Sequence, residues 1–152
     1  MSLNVRRSGR SETRQVAALP WKRTETDLQI LMITSRETRR WVIPKGGRMA
    51  GRTDPEAAAI EAMEEAGVQG PVADTAIGVF RYIKRLRSGE DRANVVAVYP
   101  LQVMIQLGRW PEADERERRW MSPAAAAALV HEPDLGALIL RFAAARLADP
   151  ED

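Results

Sequence analysis

The apolar run Gln15 to Trp21 and the run Leu28 to Thr34 (LQILMIT) predict two strands, joined into a hairpin by the charged turn Lys22 to Asp27. Trp41-Val42-Ile43 reads as a short buried strand stopped by Pro44, after which Lys45-Gly46-Gly47 predicts a sharp turn. A helix is expected to begin near Asp54-Pro55, with an N-cap followed by proline, and to end where Gly67 supplies a C-terminal cap. Ala76 to Lys84 and Asn94 to Gln106, rich in Val, Ile, Tyr and Phe, predict a second hairpin around the basic loop Arg85 to Ala93. Pro111 to Arg119 reads as an acidic, arginine-rich loop and Trp120-Met121 as a short strand. Ser122-Pro123 caps a helix through Val130, and a last amphipathic helix is expected over Asp134 to Leu147. This order, with hairpins and few βαβ crossovers, predicts a mixed sheet covered by helices on both sides. The segment through Glu12 and the tail Pro150 to Asp152 are expected to lie outside the fold as disordered ends, leaving a single domain over 13–149.

Composition narrows the chemistry. A chain of 152 residues, 45% hydrophobic, can bury one core without a disulfide or structural metal. With no apolar run of about 18 residues and no apolar segment at the N-terminus, no membrane partner is expected and the location is expected to be cytoplasmic. The absence of cysteine excludes thiolate zinc sites and cysteine nucleophiles. The one histidine, His131, sits in the polar turn Val130 to Asp134 and is expected to be solvated, with no triad character around it.

Charge is nearly balanced, 23 basic residues against 21 acidic, but unevenly placed. Between Arg36 and Arg52 six basic residues face the single acid Glu37, and Arg81, Lys84, Arg85 and Arg87 form a second group. Arg36, Lys45, Arg48, Arg81 and Lys84, together with the turn glycine Gly47, are the candidates for holding phosphate groups, since arginine grips phosphate in bidentate fashion and a glycine lets backbone approach closely. Trp41 and Trp120 are expected in the core or a pocket wall, Trp21 and Trp110 near strand ends. No interleaved aromatic and basic stripe suggests a nucleic-acid partner.

Between the basic groups lies an acidic helix. At about 100° per residue, Glu61, Glu64 and Glu65 fall on one face, while Ala59, Ile60, Ala62, Met63 and Ala66 form an apolar side that can dock on a sheet. Converging carboxylates repel, and a hard divalent cation such as Mg²⁺ or Mn²⁺ reverses that cost.

Gly46 to Val68, GGRMAGRTDPEAAAIEAMEEAGV, resembles the Nudix box, in which a glycine, five residues, Glu, seven residues, then Arg-Glu-apolar-x-Glu-Glu-x-Gly-apolar recur. Gly46, Glu61, Ala62, Glu64, Glu65, Gly67 and Val68 match without a gap. Two positions depart: Arg52 stands where the first glutamate is usual, and Ile60 where the arginine is. In the family those two commonly support the metal-binding glutamates, so the departures bear on catalytic rate more than on metal binding, and Arg52 becomes a further candidate for a substrate phosphate. Beyond the box matches, Ser35-Arg36 leading into Arg40 to Pro44, Glu65 to Gly70, Gly78-Val79-Phe80 and Arg118 to Met121 look most like the diphosphoinositol polyphosphate phosphohydrolase branch.

The resemblance implies an α/β (α+β) fold of the α/β/α sandwich type. It implies a monomeric or homodimeric hydrolase that uses Mg²⁺ or Mn²⁺, held by Glu61, Glu64, Glu65 and the Gly46 carbonyl, to cleave a phosphoanhydride in a small-molecule polyphosphate. The substrate would be a nucleoside diphosphate derivative, a dinucleoside polyphosphate or a diphosphoinositol polyphosphate. Glu64 is the first candidate for the general base, with Glu112, Glu115 and Glu117 as candidates from another loop. The rival reading is a catalytically weak sensor of nucleotide or polyphosphate on the same fold.

Overall fold

The computed structural model describes residues 11–149. Among them a seven-stranded sheet carries the core, with the main order β3 (Trp41–Val42), β2 (Leu28–Thr34), β1 (Ser11–Arg23), β7 (Asp91–Gln102), β6 (Gly78–Arg85). β4 (Lys45–Gly47) adds to β1, and β9 (Arg118–Met121) to β2. β1 runs parallel to β7 from Ser11 to Trp21, whereas the other pairings are antiparallel, so the sheet is mixed. A separate pair joins β5 (Val68–Gln69) to β8 (Ile105–Gln106).

Side chains alternate across a strand, and both faces of this sheet are covered. Ala17, Leu19 and Trp21 of β1 enter a core with α2 (Pro123–Leu129) and α3 (Pro133–Leu147), where Trp21 meets the Phe142 ring edge-on at 5.6 Å. Val16 and Ala18 face the other way, onto the alanines of α1 (Asp54–Glu61). Double coverage explains why β2 is a nearly continuous apolar run instead of an alternating one. The expected layered sandwich of helices around a mixed sheet is therefore present. No helix among the described residues is long and apolar enough to cross a membrane.

Several boundaries differ from expectation. β1 begins at Ser11, so Ser11 and Glu12 belong to the sheet: they pair with Arg92 and Ala93, and backbone pairing needs no apolar side chain. Met1 to Arg10 and Pro150 to Asp152, expected to be disordered, lie outside the described residues. The predicted hairpin of β1 and β2 pairs only over Trp21 to Arg23; β4 takes the same edge of β1 at Gln15 to Ala17, and the Ala18 amide donates to the Pro44 carbonyl. Lys45-Gly46-Gly47 is a short strand on Gln15 to Ala17, not a turn. Trp21 lies near the end of β1, as expected, and its side chain is buried in the core.

Candidate active site

The acidic helix starts at Asp54, and its cap lies one residue earlier than expected. Thr53 is its N-cap, accepting from the Glu56 amide at 3.2 Å while the Glu56 side chain accepts from the Thr53 amide at 2.9 Å, a reciprocal capping box. Ala57, Ala58, Ala62 and Ala66 pack on the sheet. Ile60 and Met63, expected on the docked side, are only half-buried, because small alanines let the helix lie closest along their own stripe.

The last turn, Ala62–Ala66, is π-helical, with the Gly67 amide reaching back to the Ala62 carbonyl as well as to Met63. Gly67 adopts φ 68°, a left-handed cap that glycine takes without strain. The wider turn brings residues four apart closer to eclipse and rotates residues three apart away. Glu61 and Glu65 accordingly share a hydrogen bond, whereas Glu64 acts on Glu61 through its charge. The expected threefold convergence is thus a pair plus a neighbour, and among the described residues no three acidic side chains enclose one point as they stand.

One loop satisfies the carbonyls that a helix end leaves unpaired. The Glu112 amide donates to Glu64 O at 3.1 Å, Trp110 Nε1 to Glu65 O at 3.1 Å, Arg118 to Ala66 O at 2.9 Å, and the Leu107 amide to Gly67 O at 2.8 Å. Arg118 also donates to Leu107 O at 2.6 Å and lies 3.8 Å from the centre of the Trp110 ring. Trp110 therefore serves the site directly, a role that its place near a strand end did not suggest.

The carboxyl pair is held from the other side as well. Glu65, 8% exposed, accepts from the Lys45 amide at 3.3 Å. Gly46 presses against Glu61: a Cβ there would overlap the Glu61 carboxylate, so the glycine is required by close approach. Arg116 reaches Glu65 at 3.7 Å. Burial and the neighbouring charges of Glu65, Glu64 and Glu112 push the Glu61 carboxyl up to about 8, and burial raises Glu65 against the opposing pull of Arg116 and Lys45. Two desolvated carboxyls against a side-chain-free backbone are a donor set that fits a hard divalent cation, which would relieve the repulsion that raises Glu61.

Beside this pair a groove of about 690 Å³ opens along β6 and the turn after β2. Arg36, Lys45, Arg81 and Lys84 all line it, as expected of phosphate-holding residues, and Arg40, Arg85 and Arg116 add to its positive charge. Gly47 and Arg48 do not line it. Arg48 is tied to Asp54 at 3.0 Å on the exposed start of α1, and Gly47 faces open space. Arg52 also sits outside the groove, exposed in the turn before the helix. Tyr82 forms part of the wall, its hydroxyl donating to Gln15 at 2.8 Å and its ring 5.5 Å from Lys45 Nζ. The aromatic residues of the wall are Phe80 and Tyr82, while Trp41 and Trp120 are half-buried against the two halves of the core, the other place expected for them. His131 is exposed, as expected for a turn, but lies at the groove's edge.

The three outside candidates for a base separate clearly. Glu112 comes to the carboxyl pair with Arg116, Glu115 pairs with Arg36 at 3.1 Å, and Glu117 is exposed, its amide donating to Thr34.

The sequence model of the NUDIX domain matches residues 13–142. The chain belongs to the Nudix family. Among Nudix relatives, the mitochondrial Nudix hydrolase 13 of Arabidopsis thaliana is 40% identical over 103 residues, 64% of this chain and 51% of that protein. The diphosphoinositol polyphosphate phosphohydrolase 3-alpha of Mus musculus is 32% identical over 110 residues, covering 70% and 62% of the two chains. The chain thus spans about half the length of the plant Nudix protein it matches. The crystal structure of a C. elegans Ap4A hydrolase binary complex superposes with a TM-score of 0.65 over 90% of this chain and 98% of that one at 17% identity, a likeness of fold.

Proposed function

We propose that the chain is a divalent-metal-dependent hydrolase that cleaves a phosphoanhydride bond in a small polyphosphate. The observation that carries this reading is the placement of the half-buried Glu61 and the buried Glu65, fastened at the helix end, beside a groove lined by cations. Glu61 and Glu65, with Glu64 and the Gly46 backbone nearby, would hold Mg²⁺ or Mn²⁺. A bound ion would supply charge neutralisation on the phosphoryl oxygens and lower the pKa of a bound water. Arg36, Lys45, Arg81 and Lys84 bind and orient the phosphates, so that the scissile bond is presented to the carboxyl end of the groove. Glu64 is the carboxylate we assign to take the proton of the attacking water, being the one outside the shared hydrogen bond, and Glu112 is the alternative.

The groove's cations suit a diphosphoinositol polyphosphate or a dinucleoside polyphosphate, and the names of the mouse relative and the nematode hydrolase support those two classes. A nucleoside diphosphate derivative is the third. Phosphate release measured over a panel of all three, with Mg²⁺ or Mn²⁺ and with chelator, tests the proposal. Turnover that requires the ion is expected. Tight binding without turnover would instead support the sensor reading, for which Ile60 and the exposed Arg52 speak.

A further inference from the structure

We propose that Arg116 is a positioning residue for the carboxyl pair, supplying from the loop before β9 the cationic support that Ile60 does not give within the helix. The inference rests on the reading that Glu61 and Glu65 hold a divalent cation. The Arg116 side chain is 8% exposed, and its guanidinium spends its donors on three separate partners. Nε binds Glu112 Oε1 at 2.7 Å, one terminal nitrogen binds the Thr34 carbonyl at 3.0 Å, and the other stands 3.7 Å from Glu65 Oε1.

These partners belong to different parts of the fold. Thr34 ends β2 in the centre of the sheet, Glu112 lies on the loop whose backbone is tied to Glu64 O, and Glu65 is in the π-helical turn. A planar fork with fixed donor directions can join three such points, and an ammonium on a flexible stem cannot reproduce that geometry. Two anchors are short and the third contact is long. Arg116 therefore stabilises the charge of Glu65 and fixes where it stands without occupying its oxygens through a close hydrogen bond. That arrangement suits a carboxylate whose lone pairs are reserved for another partner, and outer partners of this kind orient metal ligands elsewhere.

Mn²⁺ titration of the protein without substrate, read by calorimetry, tests the proposal alongside kcat and KM. Arg116→Met, folded by circular dichroism, is expected to bind Mn²⁺ about 10- to 100-fold more weakly and to lose kcat by a similar factor. Arg116→Lys is expected to recover part of the loss. Glu112→Gln should weaken Mn²⁺ binding less, and the Glu112→Gln, Arg116→Met double variant should be no worse than Arg116→Met alone, since both act through one contact chain. Wild-type Mn²⁺ affinity in Arg116→Met, fully additive losses, or a raised KM with unchanged Mn²⁺ affinity would each overturn the proposal. Should Arg116→Met not fold, the Arg116→Lys and Glu112→Gln pair carries the same test through its non-additivity. Glu65→Gln separates the two readings: if it keeps wild-type Mn²⁺ affinity the metal reading fails, and if it abolishes binding while Arg116→Met keeps wild-type affinity, only the role of Arg116 fails.

Discussion

The end of the acidic helix and the rim of the basic groove hold opposite charges by opposite means. At the helix end, Glu65 is buried, every carbonyl from Glu64 to Gly67 has a donor from the loop before β9 or from Arg118 at its start, and Gly46 and Arg116 close on the carboxyl pair. At the rim, Arg36 and Arg85 are well exposed and pair with single acids, Glu115 and Asp91. Buried charge is costly to place and keeps its position; exposed charge is cheap, mobile and screened by salt. On the proposed function, the contrast would give bond cleavage to the helix end and substrate attraction to the rim.

The largest expected effect comes from Glu65→Gln, which should lower metal-dependent turnover by more than about 100-fold in a phosphate-release assay. Full activity in that variant would break the assignment of the helix end. Next is Arg118→Met, which removes the ring contact with Trp110 and leaves carbonyls at the helix end unpaired. A loss of about 2 to 4 kcal/mol in urea unfolding is expected, and a change below about 0.5 kcal/mol would show that the loop is not a fastener.

The third prediction concerns pH. The Glu61 carboxyl is raised in the folded state to about 8 from an ordinary value of 4.5, so the folded protein binds the extra proton. Its contribution to stability is fully present below the ordinary value and is lost as pH rises through about 8. Without metal, the melting temperature should therefore fall between about pH 5 and pH 9, and Glu65→Gln should flatten that fall. A metal-free melting curve independent of pH in that range would contradict the strain assigned to the pair. The smallest effects belong to the rim. Arg36→Ala is expected to raise KM about 3- to 10-fold with kcat nearly unchanged, and about 0.5 M salt to do the same to the wild type, whereas Arg48→Ala should leave KM alone. Equal effects of Arg36 and Arg48 would erase the distinction between groove and outer surface.

The same contrast explains what could be read from the chain. Glu61, Glu65, Gly46 and Gly67 were legible because helical periodicity and glycine spacing are local signals, and the longer strands followed from their apolar runs, whereas β4 and the first two residues of β1, which carry none, did not. The π-helical turn was not, since its widened hydrogen bonding depends on how Gly67 is held by residues about forty positions later. Trp110, Arg116 and Arg118 lie in a stretch that reads as a polar loop, and their partners Glu65, Thr34 and Ala66 are distant in sequence. The arginines packed among acids just before Trp120 were the available signal, but a solvated loop has the same composition. Arg48 misled for the converse reason: it lies near the glycines in sequence, yet Asp54 holds it on the outer side of the helix start.

Calorimetric titration of Mn²⁺ into the metal-free protein near pH 7.5, run in two buffers of different ionisation enthalpy, tests the central claim most directly. Saturable binding with proton release is expected, because an ion at the pair would displace the proton held by the raised Glu61 carboxyl, and both signals should be lost in Glu65→Gln. Binding that persists in Glu65→Gln, or that releases no proton, would contradict it.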